Sequence, residues 1–309
     1  MTSSARPLKG ILLAFASYAV FAWSDASIKM LEGTLDHFEV AFFGAFFGLF
    51  ALPFVKRKGD RWRDIVTTTN RPLWLMRFCS SGFGAVGSVV AFTHLSMAEA
   101  FALIFLLPSF VTILSVVFLK EDVRLQRWAA VIIGFIGVMI VLRPGFRELS
   151  IGHLGAVVGG LSGAISIVIF RAMGPTEKRI SLYGAGVVGW LCLAGVLMLA
   201  NFQWPTPVQW LWLASYGLLA AVAGVLLMAA TRHAPATYIG PPQYSQMVWA
   251  IGFGYLVFGD TVDLPMLIGI VLIIFSGLIT LMREKQRGVA LPPSLAPADP
   301  QAGLAGLPE

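Results

Sequence analysis

The chain has 309 residues, 57% hydrophobic and only 12% charged, with a formal net charge of +6. A soluble domain carries about twice that charged fraction, so water is excluded as the main solvent of this fold, and the basic balance suits cytoplasmic membrane flanks better than a nucleic-acid surface. Cys79 and Cys192 each fall inside an apolar run, read as small buried residues, and offer neither a disulfide framework nor a metal-ligand spacing.

Ten apolar runs approach the roughly 20 helical residues that cross about 30 Å of hydrocarbon. In chain order they cover residues 9–31, 38–55, 73–95, 98–119, 126–143, 151–173, 181–201, 208–231, 235–258 and 264–283. The first is too long, and followed by too many others, to be a cleaved leader. The runs lack steady apolar–polar alternation, and a helix satisfies its own backbone in lipid, so an all-α polytopic membrane protein is expected rather than a barrel.

Orientation follows from lysine and arginine. With the N-terminus in the cytoplasm, the inner flanks hold Arg6, Lys9, Lys56, Arg57, Lys58, Arg61, Arg63, Arg71, Lys120, Arg124, Arg127, Arg171, Lys178, Arg179, Arg232, Arg283, Lys285 and Arg287. The outer side keeps Lys29, Arg143 and Arg147. Arg77, one turn into the third helix, is expected to snorkel to the inner face. Trp204, Trp210 and Trp212, with Pro205 and Pro207, fit an outer interfacial turn. Two cytoplasmic termini are expected.

The fourth and fifth runs share a plan with the last two. Ser96-Met97-Ala98-Glu99-Ala100 opens a stretch broken by Pro108 and closed by Lys120-Glu121-Asp122, followed by a run ending Arg143-Pro144-Gly145. Later, His233-Ala234-Pro235-Ala236 opens a stretch broken by Pro241-Pro242 and closed by Gly259-Asp260, followed by a run ending at Arg283. The spacing Gly10 to Lys29 repeats as Gly152 to Arg171, with Ser24 and Ser166 in register, and Met247 stands where Pro108 stood. An odd number of runs separates the copies, so the second half must be upside down. The expected architecture is two inverted five-helix repeats, residues 1–147 and 148–287, around a central cavity. Residues 288–309, rich in Pro, Ala and Gly, read as a disordered cytoplasmic tail. Proline-broken helices matched between halves point to the substrate site of a secondary transporter.

With the run Gly134-Phe135-Ile136-Gly137-Val138 before Arg143-Pro144-Gly145, these features resemble the EamA-type members of the drug/metabolite transporter superfamily over nearly the whole chain. Within it the sequence is most similar to amino-acid exporters of the YddG type, and also to importers of S-adenosylmethionine or riboflavin. The resemblance implies a basket of helices with the first, third, fourth, sixth, eighth and ninth lining the cavity.

Polar residues inside apolar helices are costly and so are candidates for the pathway. The proposed lining is Ser17, Tyr18, Trp23, Ser81, Pro108, Thr112, Ser166, Tyr238, Gln243, Tyr244, Gln246 and Trp249. Hydroxyls and amides suit a zwitterion, whereas a phosphate would want intramembrane Lys or Arg. Asp25, His94 and Glu99 are the candidates for binding a substrate ammonium or carrying a coupling proton. Against that stands a structural ion pair of Asp25 with Lys29 at the favourable i to i+4 spacing, the reading that the position of Asp25 in the outer third of its helix favours. Glu121 and Asp260 read as helix-end staples.

Gly82-Phe83-Gly84-Ala85-Val86-Gly87 spells a dinucleotide fingerprint, but it follows no strand. Close helix packing accounts for it, as for Gly155, Gly159, Gly163, Gly44 and Gly48. No catalytic, ATP-binding or metal motif is present, so no enzyme, cofactor or metal is expected. The expected partners are amino acids or similar metabolites and the lipid bilayer, with the chain acting as a monomer.

Overall fold

A computed structural model describes residues 5–56, 59–120, 125–143, 148–173, 177–231, 233 and 241–286. Among these, all regular structure is helical: α1 (Ala5–Lys29), α2 (His37–Gly48), the short α3 (Leu52–Val55), α4 (Arg71–His94), α5 (Met97–Ile104), α6 (Leu107–Leu119), α7 (Leu125–Leu142), α8 (Ile151–Met173), α9 (Arg179–Met198), α10 (Pro207–Thr231), α11 (Ser245–Phe258) and α12 (Leu264–Gln286). Seven segments are long and apolar enough to cross a membrane, the fourth of them joining α5 and α6, and α7 and α12 carry shorter apolar stretches. Tyr238, Glu121, Pro144, Gly145, Pro235 and residues 288–309 lie outside the described residues.

Helix ends follow local chemistry. Asp36 and Ser96 accept backbone N–H bonds at the starts of α2 and α5, and Asn70 does so for α4. The fourth apolar run is broken in two, with Pro108 in the first turn of α6. Pro108 cannot bond the Ile104 carbonyl, and that oxygen would lie 3.0 Å from a Cβ placed on Gly160 of α8. The kink therefore seats α5 and α6 against α8. Pro241-Pro242 likewise make a single 3-10 turn, Pro241–Tyr244, before α11.

Three helix pairs run antiparallel with backbones in close approach. Between α4 and α8, a Cβ on Gly155 would stand 2.6 Å from the Gly87 carbonyl oxygen. Between α7 and α12, one on Gly269 would stand 2.6 Å from the Gly137 carbonyl, with Ser276 donating to the Ala130 carbonyl at 2.7 Å. Between α1 and α10, Ser17 and Ser24 each donate at 2.7 Å to the carbonyls of Ala223 and Tyr216. Small residues let backbones meet where lipid supplies no hydrophobic drive. Gly44 makes the same use of its missing side chain against Tyr216, but Gly48 has nothing within 4 Å of its Cβ position, and only its carbonyl meets α9, through the Tyr183 hydroxyl at 3.5 Å.

Two further expectations are corrected. Cys79 and Cys192 are exposed on outer helix faces, not buried. Arg77 does not snorkel: it is 9% exposed, donates from Nε to the Leu182 carbonyl at 2.6 Å, and lies 4.2 Å over the Phe170 ring. The reason is the tight α4–α9 contact at Gly186, which leaves room for the guanidinium between helices.

Candidate functional site

One stripe of α1 organises the site. Tyr18, Ala22, Asp25 and Lys29 recur at helical spacing on one face, and their neighbours lie on the Tyr244–Asp260 stretch, in rising order. Tyr18 is 2% exposed and within electrostatic range of Tyr244. Asp25 accepts a hydrogen bond from Gln246 Nε2 at 3.0 Å. Lys29 donates to both oxygens of Asp260, at 2.7 and 2.9 Å. α1 thus runs parallel to the Tyr244–Asp260 stretch and is hydrogen-bonded to it at two levels, Asp25–Gln246 and Lys29–Asp260.

The Asp25–Lys29 pair expected from spacing is not formed. Lys29, the last residue of α1, pairs instead with Asp260 in the turn after Gly259. Gly259 takes φ 68°, which lets the Asp260 N–H bond the Gly254 carbonyl at 2.8 Å and fixes the carboxylate. Asp260 also accepts the Met97 N–H at 3.1 Å, so one carboxylate ties α1, α5 and α11 together at one end. Phe258 lies 5.0 Å beneath the Lys29 ammonium. Asp260 staples helix ends, as its position suggested.

Asp25 is left one helical turn deeper. A carboxylate inside an apolar helix is costly to insert, and among the described residues no Lys, Arg or His lies within ion-pair distance of it. Tyr216 of α10 lies within range of its charge. Tyr244 stacks on Phe105 at 5.7 Å, which continues through Phe101 to Phe92, so an aromatic column backs the site.

His94 and Glu99 are not part of this group. His94 is exposed, bonds the Val90 carbonyl at 3.0 Å and packs its ring on His37. Glu99 meets His153 of α8 at 3.2 Å, a partner that the separation of 54 residues hid from sequence reasoning. Both sit near the end of the molecule that Lys29 marks, as does the Arg143–Asp263 ion pair.

The remaining candidates scatter. Thr112 spends its donor on the Pro108 carbonyl at 3.0 Å, and Ser17 spends its own on Ala223. Ser81 lies beside Gly186, and Ser166 and Gln243 are half-buried. Trp23 is 51% exposed on the same face of α1 as Leu8, Leu12 and Phe15, away from Gln246, and packs edge-on against Phe253, on which Trp249 also stacks. Among the described residues no group of three or more His, Cys, Asp or Glu is arranged to hold a metal.

Comparison with known proteins fits this geometry. The family model described as the EamA-like transporter family matches residues 8–143 and again 150–282. An S-adenosylmethionine uptake transporter of Rickettsia bellii is 30% identical, covering 85% of this chain and 90% of that protein. The pseudopaline exporter of Pseudomonas aeruginosa is 26% identical over 90% of this chain and 97% of its own. A riboflavin transporter of Rhizobium johnstonii is 28% identical over 77% and 78%. One solved crystal structure superposes with a TM-score of 0.58 at 14% identity, covering 92% of this chain and 99% of that one, a likeness of fold. On these grounds the chain belongs to the EamA-like transporter family and is a multi-pass membrane protein.

Proposed function

We propose that this protein is a secondary transporter of amino-acid-type metabolites that works by alternating access between two inverted five-helix halves, residues 1–147 and 148–287. The antiparallel α7–α12 contact supports the inversion, because each is the last helix of its half. So does a match of caps: Lys120 and Gly259, 139 residues apart, both end their helices in the left-handed region and donate their N–H to Ser115 and Gly254, again 139 apart. The interior between the halves is the pathway, in the inner membrane of a bacterium, with both termini cytoplasmic and the chain acting as a monomer.

The observation that carries the cargo reading is the Asp25–Gln246 contact, an acid and an amide inside apolar helices. Such a pair suits the ammonium of a zwitterion, and the proposed activity is export of amino acids across the cytoplasmic membrane. Uptake of S-adenosylmethionine is the second reading, favoured by four relatives of that printed name at 28–30% identity. Riboflavin has no fixed cation to set against Asp25 and fits less well.

Purified protein in liposomes, offered a panel of amino acids, S-adenosylmethionine and riboflavin with and without a pH gradient, tests this. Movement of several mutually competing amino acids is the expected result. Movement of S-adenosylmethionine alone selects the second reading, and movement of riboflavin alone overturns both. A rate independent of the pH gradient removes Asp25, His94 and Glu99 as proton carriers.

A further inference from the structure

We propose that Asp25, oriented by Gln246, is a binding subsite for a cationic centre of the cargo, an ammonium or sulfonium, and that Asp260 keeps this subsite acidic by holding Lys29 away from it. The proposal rests on the reading of the chain as a carrier of amino-acid-type metabolites, and adds which residues read the cation and what keeps them available.

Geometry supplies the first argument. One oxygen of Asp25 accepts from Gln246, among the described residues its other oxygen has no protein donor, and the side chain is half-buried rather than enclosed. A carboxylate left half-satisfied in an apolar setting is an electrostatic vacancy for a positive group. Tyr216 lies within range of that charge, and Tyr18 stands two turns deeper on the same face of α1.

The second argument is the other half of the molecule. In the register that matches Gly10 with Gly152 and Pro108 with Met247, Asp25 corresponds to Ile167 and Gln246 to Leu107. Ile167 is 1% exposed and shares one apolar cluster with Leu107. The fold therefore makes the equivalent helix contact with hydrocarbon alone. The acid and amide at the first copy are not what packing requires there.

Lys29 supplies the third. It stands at i+4 from Asp25, the spacing at which the two charges on one helix attract, and an ammonium on Asp25 would block any cargo cation. Both oxygens of Asp260 hold it instead. The turn that fixes Asp260 thus protects the site one turn below.

The test uses the full-length protein in detergent and three variants, Asp25→Asn, Asp260→Asn and the double variant Lys29→Met/Asp260→Asn. Trimethylsulfonium and S-adenosylmethionine are the probes, and binding is read by tryptophan fluorescence titration, with elution volume as a check on folding. Asp25→Asn is expected to weaken both probes roughly tenfold to a hundredfold, the size of one lost charge-assisted contact. Asp260→Asn, which frees Lys29 to neutralise Asp25, weakens them similarly, and the double variant restores binding to within about threefold of the original protein. A merely structural ion pair predicts no such rescue. Wild-type binding in Asp25→Asn, a double variant as weak as Asp260→Asn, or no binding of either probe to the original protein overturns the proposal. Liposome transport separates the two readings: amino-acid movement that survives Asp25→Asn removes the subsite and keeps the carrier, whereas trimethylsulfonium binding that needs Asp25 in a protein that moves no amino-acid-type cargo does the reverse.

Discussion

Lys120 ends α6 with φ 52°, a conformation that strains an L side chain by roughly 1–2 kcal/mol. Its counterpart Gly259 meets the same demand without a Cβ. Lys120→Gly should therefore raise stability by roughly 0.5–1 kcal/mol after the added chain entropy of glycine, read as a higher thermal midpoint in detergent; an unchanged or lower midpoint would show the strain to be absent. On the loops at the start of α4 and α9, Asp64 is held below the ordinary carboxylate range by Lys178, whose ammonium lies 2.6 Å away, and by the Arg61 amide. At Glu177 burial pushes the carboxyl up, but the Thr69 amide and the Thr68 and Thr69 hydroxyls outweigh it and leave it below 4.5. A depressed carboxylate contributes stability that is complete above its unfolded value and lost as pH falls through its folded value. Glu177→Gln should thus lower the thermal midpoint at pH 7, and the gap should close as pH falls from about 5 toward 3. A gap independent of pH would assign the effect to shape rather than charge. At this scale the sequence was only partly legible. It marked Asp25 and Lys29 as unusual, but the partners Gln246 and Asp260 lie 221 and 231 residues away, beyond any helical spacing rule.

The elements were far more legible, because a membrane forces long apolar runs that end where polar residues begin. The run read as 151–173 is α8, Ile151–Met173, and the break expected from Pro108 falls between α5 and α6. What periodicity could not say was which glycines face a neighbour. Gly155 and Gly48 both sit in apolar helices near other small residues, yet only Gly155 meets a backbone carbonyl, that of Gly87. Gly155→Ala is expected to cost about 1–3 kcal/mol through overpacking, whereas Gly48→Ala stays within about 0.5 kcal/mol. Thermal unfolding of the two variants in detergent checks the contrast, and equal midpoints would remove the α4–α8 contact as a determinant of stability. Trp23 was grouped with Asp25 for a related reason. Trp23 lies two positions from Asp25, roughly 200° around the helix, so proximity in sequence placed it with the wrong face.

For the whole molecule, composition alone decided the class, and the doubled pattern of small residues, prolines and closing acids carried the family. The serine-lined contacts of α1 with α10 and the glycine-lined contacts of α4 with α8 both run between residues 5–143 and residues 148–286, as do the ion pairs Lys29–Asp260, Arg143–Asp263, Glu99–His153 and Lys178–Asp64, so backbone approaches and polar side chains together join these two stretches. The cargo was not legible to the same degree, since a carboxylate and an amide specify a charge and not a molecule. The bond from Lys29 to Asp260 has a further consequence for how the chain is made. At ~5–20 residues per second of synthesis, the acid emerges roughly ten to fifty seconds after the base. Throughout that interval the first helix must settle in the bilayer with only the acids of its own neighbourhood, Asp25 and Glu32, within reach of Lys29, so the partner that the finished protein gives this lysine is one the newborn helix does not yet have.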